Sequence, residues 1–246
     1  MRRFILDKKE IGDTEAIITG PLYRHMVKVL RMKPGADVIL ADGEGGEYKG
    51  IVESIDATSL RIKVSEQKPT GNENPGPKIT IYQGLPKGGK LDYIIQKCTE
   101  LGVTAMVPFA ASRSIVRMSN ERKAERVERW QKIAVEAARQ SRRTKAPQIS
   151  FAADLYHLLK KADHTVKLLL WEEEKANLLR ETLAGLPVPD DVGVLIGPEG
   201  GFSSDEVAAA SSAGFIPVSL GRRVVRTETA GVMILAILQF YWGDLG

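Results

Sequence analysis

The first 70 residues carry short apolar segments and few helical patterns. Alternating or continuous apolar residues at 37–40, 48–52 and 59–64 predict short strands, and the glycines and prolines between them predict tight turns. The main helical pattern in this part covers residues 21–30. We therefore expect residues 1–70 to form a small β-barrel.

A run rich in prolines, glycines and asparagines follows at 68–77 (KPTGNENPGP). Because these residues disfavour both helix and strand, we place a linker at 71–77. Beyond it, short apolar runs alternate with amphipathic stretches, an order typical of an α/β domain with a mostly parallel sheet, which we expect at 78–246. The predicted strands are 79–83, 105–109, 166–170, 192–196 and 215–220, and the predicted helices are 91–101, 120–143, 176–183, 204–213 and 227–242.

Two glycine-bearing segments near the C-terminus each follow a predicted strand and precede a predicted helix. They are IGPEGGFS at 196–203 and LGRRVVRTETA at 220–230. Both turns are therefore expected at the C-terminal ends of parallel strands, where open α/β sheets bind ligands, and two in succession favour one shared pocket. Glycines around Pro198 allow positive φ and close approach to a ligand. Glu199 is either a ligand contact or an exposed turn residue.

The second of these segments brings three arginines and a glutamate together where a strand gives way to a helix. Arg226 and Glu228 either pair with each other for structural reasons or hold and polarise a substrate.

A third glycine-rich segment, GLPKGGK at 84–90, has the spacing of a phosphate-binding loop. Leu91 stands where such a loop needs a Ser or Thr hydroxyl for magnesium. The segment is therefore better interpreted as a basic turn that faces solvent or a polyanion than as part of a nucleotide triphosphatase.

Positive charge is concentrated in one part of the chain. Residues 111–147 hold eleven Lys or Arg against four Glu, whereas the whole chain has a net charge of only +4. This concentration suggests a polyanionic partner, although a solvated basic helix gives the same pattern.

Histidine and cysteine usage restricts the site chemistry. The single cysteine, Cys98, excludes a disulfide within the chain and is interpreted as a buried apolar residue. His157 and His164 lie in surface-like contexts, and His25 is either a phosphate contact or part of a solvated face. No spacing of His, Cys and carboxylates resembles a metal site, so no metal is predicted.

The chain ends and its hydropathy indicate a cytoplasmic protein. The charged N-terminus (MRRFILDKK) does not resemble a secretory leader. The most apolar run, 232–242, is well below the roughly 20 residues of a membrane span.

In these residues the chain resembles the SPOUT superfamily of methyltransferases, and more closely the bacterial family that methylates N3 of a uridine in 16S ribosomal RNA. The resemblance covers nearly the whole chain, and the two C-terminal glycine segments are its most specific marks in combination. The other residues that carry it are Arg2, Arg3 and Phe4, His25 with Val29, Leu30 and Arg31, KCTELG at 97–102, Arg113 with Ser114, Arg129 with Trp130, and AARQS at 137–141.

The resemblance implies an N-terminal PUA-like β-barrel that binds RNA and a SPOUT-type α/β domain whose parallel sheet includes a deep trefoil knot. It implies S-adenosylmethionine (SAM) as the cofactor and 16S ribosomal RNA, within the small ribosomal subunit, as the partner. It also implies a homodimer in which two subunits complete each site, with the apolar helix at 229–242 as a candidate interface element.

Carried over by position, the cofactor lies among three loops whose backbone groups read the adenine edge. A flat heteroaromatic ring also needs an apolar wall, which Leu220 and Val225 can supply. The implied cofactor-binding residues are Leu170, Trp171, Glu172, Ile196, Gly197, Pro198, Glu199, Gly200, Gly201, Ser219, Leu220, Gly221, Val225, Arg226, Thr229 and Ala230.

Methylation of uracil N3, a weak acid, needs a proton acceptor and a stabiliser for the resulting anion. Glu228 is the candidate base or orienting group, and Arg226 or Arg223 is the candidate stabiliser of charge on the uracil oxygens. Because N3 lies on the pairing edge, the target base must be unpaired or flipped. The implied RNA contacts, mostly to phosphate, are Arg3, Arg24, Arg31, Lys87, Lys90, Arg113, Arg139 and Arg143.

Two other functions stay open. Other SPOUT families methylate the ribose 2′-oxygen of RNA, which needs a hydroxyl nucleophile in the pocket instead of uracil N3. A non-catalytic RNA-binding protein of ribosome assembly would use only the barrel and the basic helix, and the intact glycine segments argue against it.

Overall fold

The computed structural model describes residues 2–42, 46–69, 76–113, 120–141 and 143–245. These residues form two compact units, Met1–Glu73 with Ala138–Ala146, and Asn74–Ala137 with Pro147–Gly246. Most of the predicted linker, residues 71–75, lies outside the described residues, and the domain boundaries taken from the sequence stay a prediction. Among the described residues, no helix is both long and apolar enough to cross a membrane.

The first unit is built around a five-stranded sheet with the order β1-β3-β4-β5-β2. The strands are β1 (Arg2–Ile5), β2 (Glu15–Ile18), β3 (Asp37–Ala41), β4 (Gly46–Ile55) and β5 (Leu60–Pro69). β1 pairs in parallel with β3, and the other pairs are antiparallel. The three predicted strands are confirmed, whereas β1 and β2 were not predicted because each is only four residues long.

The helix predicted at 21–30 is confirmed, but it changes geometry along its length. It begins as α1 (Gly20–Arg24) and continues as a π-helix over His25–Val29. Arg31 follows with a φ of 51°, while Met32 N donates to Met26 O at 3.0 Å. This left-handed residue with a hydrogen bond back into the last turn is a helix C-terminal cap, which accounts for the unusual backbone of Arg31.

The second unit contains a six-stranded sheet with the order β11-β9-β10-β6-β7-β8, and every pairing in it is parallel. This confirms the predicted α/β class. The strands are β6 (Lys78–Gly84), β7 (Ala105–Phe109), β8 (Gln148–Ile149), β9 (Val166–Leu170), β10 (Asp191–Ile196) and β11 (Ile216–Val218). β8 was not predicted because it is only two residues long.

Strand β11 is shorter than predicted because the residues on either side of it donate their backbone hydrogen bonds to other segments. Phe215 N donates to Ala210 O at the end of the preceding helix, and Ser219 N donates to Asn177 O. Both groups are therefore unavailable to the sheet, which leaves three residues of the predicted six in the strand.

In the part of the chain that the structure describes, five helices connect these strands and a sixth follows the last strand: α2 (Lys90–Glu100), α3 (Asn120–Gln140), α4 (Leu155–Leu159), α5 (Leu179–Ala184), α6 (Ser204–Ser212) and finally α7 (Thr227–Trp242). The short helix α4 was not predicted. Helix α5 begins later than predicted because Glu174 Oε1 accepts hydrogen bonds from Ala176 N and Asn177 N, at 2.7 and 3.1 Å, and so forms a turn there.

Both faces of the second sheet are buried, as expected for a parallel sheet. On one face Ile79, Ile81 and Val194 pack with Ile94 of α2 and Ile234 of α7. The residues between them in the strands, such as Tyr82 and Leu195, pack on the other face. Cys98 is fully buried, as predicted, and burial raises its pKa to about 12, so it is an inert core thiol.

Candidate active site

A cavity of about 410 Å³ opens at the C-terminal ends of strands β9, β10 and β11. The two C-terminal glycine segments meet there, which confirms the prediction of one shared pocket. This volume is in the range of small-molecule sites. The lining residues are Lys90, Leu170, Trp171, Glu172, Ile196, Gly197, Pro198, Glu199, Gly201, Phe202, Val218, Ser219, Leu220, Gly221, Arg222, Arg223, Val224, Val225, Arg226, Thr227 and Ala230.

The lining includes every residue predicted to bind the cofactor except Gly200 and Thr229. Gly200 instead turns its carbonyl to Arg113, whose Nη1 donates to Gly200 O at 2.8 Å. Thr229 lies on an exposed position of α7. For these two residues, contact with the cofactor stays a prediction.

Glycine is required where the first segment approaches strand β6. A Cβ atom on Gly84 would lie 2.6 Å from both N and Cδ of Pro198. Gly201 has a φ of 64°, a backbone conformation that disfavours side chains. The turn from Pro198 to Gly201 is closed by a 3.0 Å hydrogen bond from Gly201 N to Pro198 O. The absence of side chains brings backbone groups to the cavity wall.

A buried hydrogen-bond network joins this segment to the start of α7. Thr227 Oγ1 donates to Gly197 O at 2.6 Å. Gln83 Nε2, from the end of β6, donates to Thr227 Oγ1 at 2.9 Å and to Gly84 O at 3.0 Å. Gln83 is fully buried and Thr227 nearly so. The network therefore fixes the position of α7 relative to the glycine segment.

A cluster of charged side chains lies at the cavity wall. Lys90 Nζ is 2.9 Å from Glu199 Oε1 and 3.3 Å from Glu228 Oε2. Both carboxylate oxygens of Glu199 also accept hydrogen bonds from Lys87 N, at 3.0 and 3.1 Å. One backbone amide and one lysine side chain of the segment at 84–90 thus hold a protein carboxylate. Glu199, for which the sequence allowed two roles, both lines the cavity and is anchored.

The ionisation of this cluster follows from its geometry. Partial burial raises the pKa of Glu199, but the hydrogen bonds from Lys90 and Lys87 N outweigh it, so the pKa lies below its ordinary value. The hydrogen bond to Glu199 raises the pKa of Lys90, and Glu228 adds to this effect. At neutral pH, Lys90 is therefore an ammonium and Glu199 a carboxylate.

The candidate catalytic residues differ in their position relative to the cavity. Arg223 and Arg226 line the cavity, and the Arg226 side chain is 84% exposed. Glu228 does not itself line the cavity, but it lies beside Lys90, which does. The pairing of Arg226 with Glu228 is weak, since Nη1 and Oε1 are 4.0 Å apart.

A second carboxylate, Glu206, holds the glycine segment from the other side. Its side chain is nearly fully buried; Oε1 accepts from Ser112 N at 2.8 Å and Oε2 accepts from Ser203 N at 2.9 Å. Ser203 in turn caps α6 by accepting from Glu206 N. Burial raises the pKa of Glu206, and the hydrogen bonds more than offset this, so its pKa is lowered.

The predicted RNA-binding residues are distributed over both units. Lys87 and Arg113 are exposed, whereas Lys90 is held by two carboxylates at the cavity. In the first unit Arg24 and Arg31 are exposed and Arg3 pairs with Glu47. Arg139 and Arg143 are half-buried. The contact of each with RNA stays a prediction.

The surface-like placement predicted for His164 is wrong. Its side chain is only 11% exposed, and its Nε2 lies 2.7 Å from the Tyr82 hydroxyl. Burial lowers the pKa of His164, and burial together with Asp191 raises the pKa of Tyr82 to about 12.

Among the described residues, no group of three or more His, Cys, Asp or Glu could hold a metal ion.

Gln83 and Val218 belong to the site but were not predicted from the sequence. Phe202, Arg222, Val224 and Thr227 lie within the two predicted glycine segments but had no individual role, and Lys90 was assigned to RNA. Gln83 carried a usable signal, because a glutamine at the end of a buried parallel strand lies at the ligand-binding edge. The partners of Lys90 could not be found in this way, since Glu199 is 109 positions away in the chain.

Comparison with known proteins agrees with this arrangement. Residues 72–239 match the model of the RNA methyltransferase domain, and residues 18–65 match that of the RNA methyltransferase PUA domain. The first match covers more than half of the chain, so the chain belongs to the RNA methyltransferases.

Comparison with individual proteins identifies the family within the RNA methyltransferases. The chain is 33% identical over 248 residues to ribosomal RNA small subunit methyltransferase E of Bacillus subtilis, covering 98% of this chain and 96% of that protein. A crystal structure of the same enzyme from Neisseria gonorrhoeae, bound to S-adenosyl methionine, superposes with a TM-score of 0.87 at 30% identity and 100% coverage of both chains. A methyltransferase structure from Legionella pneumophila with bound SAM gives a TM-score of 0.89 at 31% identity, covering 99% and 98% of the two chains. The chain belongs to the ribosomal RNA small subunit methyltransferase E family.

Proposed function

We propose that this chain transfers a methyl group from SAM to N3 of a uridine in the 16S RNA of the small ribosomal subunit. The observation that carries the proposal is the glycine-lined cavity with a carboxylate–lysine cluster on one wall and an arginine-rich turn at its mouth. Two related structures that match nearly the whole chain hold SAM, which supports the choice of cofactor.

The residues present at the cavity fit SAM. Leu170, Ile196, Leu220 and Val225 offer apolar surface for a flat adenine ring, and the glycine segments expose backbone amides and carbonyls to its edge. Carboxylates such as Glu172 suit the positive groups of the cofactor. When bound, SAM supplies a methyl group on a positively charged sulfur.

The chain must then manage the proton and the charge of the target base. As the bond from N3 to the methyl carbon forms and the sulfur–methyl bond breaks, the N3 proton has to leave. Glu228 is the proposed acceptor, directly or through one water, because its carboxylate lies 3.3 Å from Lys90, which lines the cavity. Replacement by Gln removes this base, so Glu228→Gln should lower kcat by about 100-fold or more while SAM still binds by calorimetry.

Substrate recognition follows from the charge of the surrounding surface. Arg223 and Arg226 line the cavity mouth, where they can meet the uracil oxygens or the flanking phosphates. The exposed cations Lys87 and Arg113 suit backbone phosphates, which give salt-dependent affinity without sequence preference. Choice of the target therefore depends on an unpaired or flipped uridine that enters the cavity.

Several finer features are part of the same proposal. We infer a PUA-like barrel at 1–70, a linker at 71–77, and at 78–246 a SPOUT domain with a deep trefoil knot. A homodimer is supported by the apolar end of α7, where Phe240 is 68% and Tyr241 45% exposed. Because the proposed substrate belongs to the ribosome, we place the chain in the cytoplasm.

The test is methyl transfer from labelled SAM to small ribosomal subunits that lack the native modification, followed by nucleoside mass spectrometry. We expect 3-methyluridine in the 16S RNA. A 2′-O-methylated nucleoside would replace this reaction with ribose methylation. No transfer, together with no SAM binding by calorimetry, would leave only an RNA-binding role.

A further inference from the structure

We propose that Lys90 is an electrostatic catalytic residue, whose ammonium faces the target uracil and stabilises the negative charge that develops on it. The inference rests on the proposed N3 methylation and changes the role of Lys90 from a phosphate contact to a part of the reaction site. It is carried by three observations: the position of Lys90 at the cavity, its anchoring by two carboxylates, and the exposure of the competing cations.

The first observation is position. Lys90 is the first residue of α2 and lines the same cavity as the two glycine segments. Its ammonium therefore shares the site with the residues proposed to hold the cofactor. The N-terminus of this eleven-residue helix adds a partial positive charge in the same place.

The second observation is anchoring. Glu199 Oε1 lies 2.9 Å and Glu228 Oε2 3.3 Å from Lys90 Nζ. Glu199 is itself held by two hydrogen bonds from Lys87 N. A lysine side chain is ordinarily mobile, so this double anchoring pre-organises its charge before the substrate arrives, which is the condition for strong electrostatic stabilisation.

The third observation compares the cations around the cavity. The Lys90 side chain is 35% exposed, whereas the Arg226 side chain is 84% exposed. Arg222 and Arg223 are also exposed. Because water screens exposed charges, the charge of Lys90 is the one among these four cavity cations that solvent screens least.

The charge movement of the reaction suits this arrangement. Before the reaction Lys90 neutralises the Glu228 carboxylate. When Glu228 accepts the N3 proton, one negative charge leaves the carboxylate and appears on uracil, until attack on the methyl group removes it. In this proposal the Lys90 ammonium lies next to both the Glu228 carboxylate and the bound uracil. It therefore remains paired with the negative charge throughout the reaction. Since its raised pKa keeps Lys90 protonated, it cannot serve as the base itself.

The decisive experiment compares two RNA substrates. Lys90→Met removes the charge and keeps most of the side-chain length. At saturating SAM and RNA, its kcat should fall by about 100-fold, the size of effect seen when one such donor is removed. On RNA containing 5-fluorouridine, whose N3 is more acidic, less stabilisation is needed, so the loss should shrink by about tenfold. Lys90→Arg should keep part of the rate on both substrates.

Two binding measurements separate this role from phosphate contact. SAM affinity by calorimetry and RNA affinity without SAM should both stay within about twofold of the unsubstituted chain. If Lys90 only contacted phosphate, Lys90→Met would instead leave kcat unchanged and weaken RNA binding. The slope of log RNA affinity against log salt would then fall by about one. Lys97→Met is the matched control, because Lys97 is on the same helix, 34% exposed and paired with Glu100. It should leave every parameter unchanged.

Each outcome has a defined meaning. An equal loss of kcat on uridine and 5-fluorouridine RNA would overturn the proposal, and so would an unchanged kcat. If Lys90→Met fails to fold, Glu199→Gln provides the second test: weaker anchoring should lower kcat by a smaller factor and again less on 5-fluorouridine RNA. No loss in that variant would also overturn the proposal. If the unsubstituted chain forms no 3-methyluridine, the proposed function itself fails.

Discussion

The two glycine segments that form the cavity differ in how their backbones are held. The first, 196–203, receives side-chain hydrogen bonds from residues distant in the chain, since Thr227 donates to Gly197 O and Arg113 donates to Gly200 O. Glu206, three residues after the segment, accepts from Ser203 N. The second, 220–230, is joined to the first through Thr227, but its turn Gly221–Val224 is exposed, and Gly221 N there donates locally to Ser219 Oγ at 3.3 Å.

This difference suits two separate tasks. A site that binds a small cofactor benefits from a rigid wall, because pre-organised groups lose little entropy on binding. A turn that meets RNA has to accommodate a larger and more variable partner, and exposed arginines can do so at low cost. We therefore expect changes in the first segment to affect folding and SAM binding, and changes in the exposed turn of the second segment, Gly221–Val224, to affect RNA.

The largest effect should come from Gly84→Ala, which forces the first segment away from β6. The added Cβ would lie 2.6 Å from Pro198 N and Cδ, so the cavity wall must shift. We expect a loss of about 2–3 kcal/mol in the free energy of unfolding, measured by urea denaturation, and SAM binding weakened by about tenfold.

Gly89→Ala is the matched control, because a Cβ at Gly89 meets no atom within 4 Å. It should leave both quantities unchanged. If Gly84→Ala binds SAM as well as the unsubstituted chain does, the first segment is more adaptable than its contacts indicate, and the contrast between the two segments fails.

Glu206→Gln should produce the next largest effect. The amide keeps one acceptor oxygen but turns a nitrogen toward one of the two backbone donors, Ser112 N or Ser203 N. Leaving a buried donor without an acceptor costs about 1–3 kcal/mol. The loss should appear in urea denaturation at pH 7, with the glycine segment as the region of increased hydrogen exchange.

This contribution also has a defined pH dependence. The pKa of Glu206 in the folded chain lies below its ordinary value of 4.5, so the unfolded chain binds the proton more tightly. The stabilisation is therefore complete above pH 4.5 and is lost as the pH falls through the lower folded pKa. The stability difference between the unsubstituted chain and Glu206→Gln should narrow over that acidic range. A difference that stays constant would contradict the role of the ionised carboxylate.

The same contrast explains what could be predicted from the sequence. The strands β7 and β9 were predicted at their observed bounds, because a five-residue apolar run in a parallel sheet is buried on both faces. The position of the cavity followed from the glycines after β10 and β11. Short elements such as β1 and α4 were missed, since four or five residues are too few to establish a period.

The contacts that fix the first segment could not be predicted. Gln83 and Thr227 are 144 positions apart, and Ser112 and Glu206 are 94 apart. Sequence periodicity reports only which face of an element is buried, not which distant loop supplies a partner. Hence Lys90 was assigned to RNA phosphate from its glycine-rich, basic surroundings, and only the fold places it beside Glu199 and Glu228.

A smaller effect is expected from Thr227→Val, which keeps the side-chain shape and removes the hydroxyl. Gly197 O then loses its 2.6 Å hydrogen bond and Gln83 Nε2 loses an acceptor. We expect a loss of about 1 kcal/mol in the free energy of unfolding and a modest rise in the Kd for SAM. Thr227→Ser retains the hydroxyl and should recover most of the SAM affinity. Equal behaviour of the two variants would mean that the network does not position the segment.

The smallest structural effect should come from Arg222→Ala in the second segment. Arg222 is exposed and lines the cavity mouth, so its removal should change the free energy of unfolding by less than about 0.5 kcal/mol. If this turn serves RNA, RNA affinity should fall and the slope of log affinity against log salt should drop by about one, measured by filter binding over a salt series. Arg180→Ala, on the exposed side of α5, is the control for charge alone and should leave the slope unchanged. A large loss of SAM affinity in Arg222→Ala, with the salt slope intact, would assign this exposed turn to the cofactor instead of RNA, and the proposed task of the turn would be wrong.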